Sequence, residues 1–293
     1  MKTKKVGDIS IDVAVEMGID DGFPANMLVP SFDMAVLEAH RDICVPFCFN
    51  PATGGLKLSI HTWVVRVGKE VILIDTCNGN DKERPAFELA HKLNLPYLEK
   101  LAAVGVKPED VTMVMCTHLH VDHCGWNTQL KNGKWVPTFP NARYVFSKAE
   151  YEQWNPKSAS YLPSDINANV FEDSVLPVVE AGLVDFVEGD CDLNETMRVE
   201  KAPGHTFGSI VLKMQSKGQH AMFAGDTMHN AVQILRPEWS SGFCNDPVMS
   251  AQTRRRLLEF CAEKNALLMP AHFPPPHAVR VKPHGEHFVF SAE

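Results

Sequence analysis

The chain has 293 residues, 45% of them hydrophobic and 22% charged, and its 28 Lys and Arg against 36 Asp and Glu give a net charge of −8. At this length about 70–75% of the unfolded surface is buried on folding, so a full core forms without disulfides. The acidic balance excludes a dedicated nucleic-acid binder, recurrent Leu, Ile, Val and Phe exclude a disordered chain, and no run reaches the roughly 18 apolar residues of a membrane helix.

The start, MKTKKVGDIS, is basic but lacks the apolar stretch of a secretory signal. The cysteines, at 44, 48, 77, 116, 124, 191, 244 and 261, are scattered rather than framework-spaced. They read as reduced thiols of a cytoplasmic protein, with Cys44 and Cys48 as small buried hydrophobes. Residues 18–56, rich in Gly, Pro and Asn, read as a surface arm or lid on a single domain spanning 1–293, and as a candidate pairing surface for a homodimer.

Apolar runs predict strands at His61–Val67, Val71–Asp75, Val111–Thr117, Ala142–Phe146, Ile210–Met214, Gln219–Ala224 and Ala266–Pro270. Gly68-Lys69-Glu70 between the first two signals a hairpin. Helix-like spacing marks Pro85–Leu95, Tyr97–Val104 and, most clearly, Pro247–Asn265, whose Arg254-Arg255-Arg256 run reads as a solvated face. Strands and helices mixed without a clean βαβ rhythm predict a layered α/β or α+β sandwich.

The strongest local signal is Thr117-His118-Leu119-His120-Val121-Asp122-His123. Imidazole and carboxylate are the donors that Zn²⁺ and its neighbours take. A strand sends alternate side chains to opposite faces and cannot aim all four at one spot, whereas a turn after a strand aims them at two adjacent metals. A two-metal site needs further donors. His205 in APGHT, Asp226 in FAGDT and His272 in MPAHF each stand at the end of an apolar run or at a Gly turn. Trp126, Trp154, Phe207 and Phe273, beside these donors or in the intervening loops, are candidates for an apolar cleft or for core.

The series HxHxDH (His118, His120, Asp122, His123), then His205, Asp226 and His272, preceded by Leu73–Thr76 (LIDT), resembles the metallo-β-lactamase superfamily over roughly residues 55–275. The resemblance implies a four-layer αββα sandwich. It implies one metal held by His118, His120 and His205, a second held by Asp122, His123 and His272, and Asp226 bridging them; the ions are Zn²⁺, or Mn²⁺, Co²⁺ or Fe²⁺. Asp226 stands where true β-lactamases of this type usually carry Cys. Only about 20 residues follow His272, too few for the helical extension of glyoxalase II-like thioesterases. The chain is similar to the N-acyl-homoserine lactonase and methyl parathion hydrolase branch, which implies hydrolysis of a small lactone or carboxylic ester, with phosphotriesters or thioesters as alternatives. Asp122 is then a proton shuttle as well as a ligand. His229, where the lactonases place Tyr, is a candidate donor to the oxyanion, and Asp75 an outer partner of a ligand imidazole.

Overall fold

The computed structural model describes residues 2–293. The chain forms two compact units. The first comprises the described residues up to Glu16 with Ile60–Gly189, and the second Met17–Ser59 with Asp190–Glu293.

The sheet that carries the first unit's strands runs in the order Lys4–Val6, Ile9–Pro24, Gly55–Val67, Glu70–Ile74, Met113–Met115, Arg143–Ser147, Val184–Val187. The hairpin forms as expected: Val67 pairs with Glu70 across a two-residue turn, and Gly68 takes φ +59, which costs a glycine nothing. From Glu70–Ile74 onward the strands pair in parallel. Their cores, Ile72–Ile74, Val114–Met115 and Tyr144–Phe146, are buried, which is why they read as unbroken apolar runs. Parallel neighbours need crossovers. Tyr97–Ala103 supplies one and Lys148–Trp154 another. The expected helix at Pro85–Leu95 is instead a single 3₁₀ turn, Glu88–Ala90. Side chains hold that segment: Asn80 bonds both the amide and the carbonyl of Leu95, and the Arg84 amide donates to His91 Nδ1.

The same unit buries an ion cluster. Arg84 bonds Asp173 through two nitrogens at 2.7 and 2.8 Å. Lys82 donates to Thr128 Oγ1 at 2.6 Å and lies 3.6 Å from the centre of the Trp135 ring. Burial pulls the Lys82 ammonium down to about 8, against the opposing pull of Asp173. Below that pH the lysine is charged in both folded and unfolded chains. Between about 8 and the ordinary 10.5 the unfolded chain keeps a proton that the folded chain has lost, so this group adds stability as pH rises. We predict that the stability difference between the native chain and Lys82→Met shifts toward the native chain by up to roughly 3 kcal/mol between pH 7.5 and 10.5, measured by urea unfolding.

The second unit holds a seven-stranded sheet in chain order: Cys191–Asn194, Met197–Lys201, Ile210–Ser216, Gln219–Gly225, Leu267–Pro270, Val279–His284, His287–Ala292. Its one parallel pair, Gln219–Gly225 with Leu267–Pro270, is joined through the helix Pro247–Lys264. Asp246 caps that helix by accepting from the Met249 amide, Pro247 opens it, and Asn265 ends it in a left-handed conformation. Residues 18–56 form the end of the Ile9–Pro24 strand, three short helices and the strand Phe49–Asn50. Leu28, Val29, Leu37, Cys44, Phe47 and Cys48 from this segment enter the apolar core with Leu257, Leu268 and Phe273. All eight cysteines are free thiols, and among the described residues no helix is long and apolar enough to cross a membrane.

The Arg254–Arg256 run departs from its expected solvated face. Arg254 is completely buried and donates to the carbonyls of Thr227 at 2.7 Å and Pro237 at 2.6 Å and to Ser250 Oγ at 3.0 Å. Arg255 and Arg256 make exposed contacts, to the Glu286 carbonyl and to Glu200 with the Lys201 carbonyl.

Candidate metal centre

In the first unit the donors follow the short strand Met113–Met115. Its parallel neighbour Glu70–Ile74 ends one residue before Asp75, so both strands deliver their C-terminal ends to the same edge of the sheet. The Asp75 amide donates to the Met115 carbonyl, and φ +56 at Asp75 turns the chain there. The Asp75 carboxylate then accepts from the Thr117 amide at 2.7 Å, from the Thr117 hydroxyl, and from His123 Nδ1 at 2.9 Å. Asp75 thus fixes the orientation of the His123 ring. With Nδ1 spent on Asp75, Nε2 of His123 points away, 3.5 Å from Asp122 Oδ1. His118 Nε2 lies 3.1 Å from His120 Nδ1, and the His118 and His123 rings are 3.9 Å apart. His118, His120, Asp122 and His123 are thus gathered at one loop, with His118 and His123 buried.

In the second unit three turns deliver donors. His205 follows Gly204, whose φ is +130 and where an added Cβ would lie 2.2 Å from the Ser250 amide nitrogen, so only glycine lets this turn approach the helix start. Asp226 and His272 follow the two parallel strands, whose shared direction places both at one sheet edge. Three imidazoles surround the Asp226 carboxylate. His205 Nε2 is 3.3 Å away, His229 Nε2 3.1 Å and His272 Nε2 3.1 Å. His205, Asp226 and His229 each offer a ligand atom within 4.8 Å of the others. The Nδ1 of His229 is buried without a hydrogen-bond partner.

Hydrogen-bond chemistry tests whether these residues fit a cation. His272 Nδ1 lies 3.2 Å from the Ser59 carbonyl, which only accepts, so Nδ1 carries the proton. In the neutral ring Nε2 is then a bare lone pair facing the Asp226 carboxylate. Nε2 of His123, facing Asp122, is in the same position, because its Nδ1–H donates to Asp75. Acceptors aimed at acceptors in a buried site are stabilised by a cation between them, and the donor set is that of a first-row divalent ion.

Ser59 and Thr117 were not candidates in the sequence. Thr117 adjoins the histidine cluster, but Ser59 acts through its carbonyl, which no side-chain pattern reveals. Of the aromatics, Trp126, Trp154 and Phe273 are buried while Phe207 is 51% exposed. Trp126 stacks on Tyr97 and donates to Glu16, whose carboxyl burial pushes above its ordinary value. Cys116 and Cys124 are buried beside the loop, and burial raises both thiols, as expected of packing residues.

A family model described as the Metallo-beta-lactamase superfamily matches residues 56–291, and the chain belongs to this family. An N-acyl homoserine lactonase of Bacillus cereus is 28% identical over 120 residues, which is 40% of this chain and 39% of that protein. A second, from Bacillus sp, is 25% identical over 179 residues, 59% of this chain and 60% of its own length. The chain therefore spans about two fifths to three fifths of these curated relatives. Among solved structures, the hydrolase AbOPH of the β-lactamase superfamily superposes with TM-score 0.79 at 24% identity, covering 99% of this chain and 96% of its own. The dizinc quorum-quenching lactonase AidC, solved with a product, superposes with TM-score 0.80 at 20% identity, covering 100% and 97%. The mixed α/β fold is the metallo-β-lactamase fold.

Proposed function

We propose that the chain is a dinuclear metal-dependent hydrolase that opens lactones or cleaves related carboxylic esters. The observation that carries this reading is the ring of three imidazole nitrogens on the Asp226 carboxylate. The names of the curated relatives support the lactone substrate. In this reading His118, His120 and His205 hold one ion, Asp122, His123 and His272 hold the other, and Asp226 is shared. Zn²⁺ suits the donors best, and Mn²⁺, Co²⁺ and Fe²⁺ take the same set. Once bound, such ions supply a deprotonated water at neutral pH and an electrophile for the carbonyl oxygen.

The chain's own residues do the rest. Asp75 and the Ser59 carbonyl fix His123 and His272 with Nε2 turned inward. Asp122 takes the proton of the hydroxyl that has added to the carbonyl and passes it to the leaving alkoxide as the carbon–oxygen bond breaks. His229, with Nε2 held against Asp226 and Nδ1 buried and unpartnered, is the proposed donor to the oxygen that becomes negative in the tetrahedral adduct. The free thiols suit a reducing, cytoplasmic setting, and the net charge of −8 suits a small neutral substrate.

The test is a panel of N-acyl homoserine lactones, aryl esters, thioesters and phosphotriesters, assayed with Zn²⁺, Mn²⁺ and Co²⁺ forms. Lactone opening with the highest kcat/KM, abolished by chelation, is the expected result. Turnover unaffected by chelation, or preference for a phosphotriester, overturns the reading. His229→Ala should lower kcat on the order of 10²-fold with a much smaller change in KM.

A further inference from the structure

The peptide groups between the first two histidines of the cluster are held from outside the loop. The Leu119 amide donates to Glu150 Oε1 at 3.0 Å, and the Leu119 carbonyl accepts from Asn167 Nδ2 at 3.0 Å. Glu150 lies in the first turn of the helix Lys148–Trp154, is 1% exposed, and its Oε1 also accepts from the Trp154 indole at 2.6 Å. The Trp154 ring meets the His120 ring edge-on at 5.2 Å.

Burying a carboxyl is costly, so a site that does it spends that cost on something local. The Leu119 amide belongs to the peptide plane shared with His118, and its carbonyl to the plane shared with His120. Fixing both planes fixes the directions in which the His118 and His120 side chains leave the backbone. Trp154, itself set by Glu150, then limits how the His120 ring turns.

We propose that Glu150, with Asn167, is a positioning residue that sets the mutual orientation of His118 and His120 before a metal arrives. The proposal rests on the metal reading above. The acceptor oxygen Oε1 of Glu150 is what the brace requires, because the two donors on that atom, the Leu119 amide and the Trp154 indole N–H, are neutral. A glutamine keeps that oxygen and an alanine removes it.

The experiment is Co²⁺ titration of the native chain, Glu150→Ala, Glu150→Gln and Asn167→Ala, read by the visible d–d spectrum and by competition with a chromophoric chelator. Glu150→Ala should weaken Co²⁺ binding about 10- to 100-fold with displaced bands, in the range typical for partners that orient ligands. Asn167→Ala should weaken it in the same direction, and Glu150→Gln should bind as the native chain does. If Glu150→Ala fails to fold, the contrast between Glu150→Gln and Asn167→Ala still decides. Native affinity and spectrum in Glu150→Ala, or in Asn167→Ala, overturn the brace alone, as does a Glu150→Gln defect equal to that of Glu150→Ala. A native chain that takes up no Co²⁺ overturns the metal reading and the brace with it.

Discussion

Replacing Asp226 by Ala is expected to lower kcat/KM by on the order of 10³-fold or more and to strip bound metal during gel filtration, as read by elemental analysis. The magnitude follows from the position of the residue. Changing a partner that only orients a ligand costs about 10- to 100-fold. Asp226 instead faces ring nitrogens of His205, His229 and His272 within 3.1–3.3 Å. Its loss removes the single anion toward which all three imidazoles point. Added metal should raise the urea midpoint of the native chain and leave that of Asp226→Ala nearly unmoved, because only the native chain gains the binding contribution to its stability. An Asp226→Ala protein that kept its metal and full turnover would remove the basis of the proposed function.

The cluster from His118 to His123 was legible because four donors fall within six residues, and Asp226 and His272 because each follows an apolar run that becomes a buried strand. What orients them was not legible. Ser59 meets His272 across 213 residues through backbone atoms, and Glu150 meets Leu119 across 31. Neither leaves a local pattern. The strand Ile9–Pro24 was missed for a different reason. Ile9, Ile11, Ala14 and Glu16 are buried while the residues between them are only partly so, and a strand with one covered face, interleaved with Ser and Asp, does not look like an apolar run. At Pro85–Leu95 apolar spacing suggested a helix, but prolines at 85 and 96 and φ +48 at Lys92 leave room for one tight turn.

The Arg254–Arg256 run held a signal that its charge concealed. Buried Leu257, Leu258 and Cys261 lie three, four and seven residues after Arg254, so all four occupy one stripe of the helix Pro247–Lys264. Charge argued for solvent and periodicity for the interior, and three acceptors decide in favour of the interior. Arg254 donates to the carbonyls of Thr227 and Pro237 and to Ser250 Oγ, while burial pulls the guanidinium down to about 10. Arg254→Met gives back the cost of burying the charge but leaves two carbonyls without their donor. It should destabilise the chain by about 2–4 kcal/mol. Arg255→Met and Arg256→Met, at exposed positions, should each stay within about 1 kcal/mol of the native chain. Urea unfolding of the three variants checks the contrast, and equal stabilities would refute the interior assignment. The Thr227 carbonyl directly follows Asp226 in the chain, so Arg254 also steadies the turn that presents the shared carboxylate. Assayed well below its unfolding temperature, Arg254→Met should therefore lose metal faster than Arg256→Met, a difference that global stability alone does not produce.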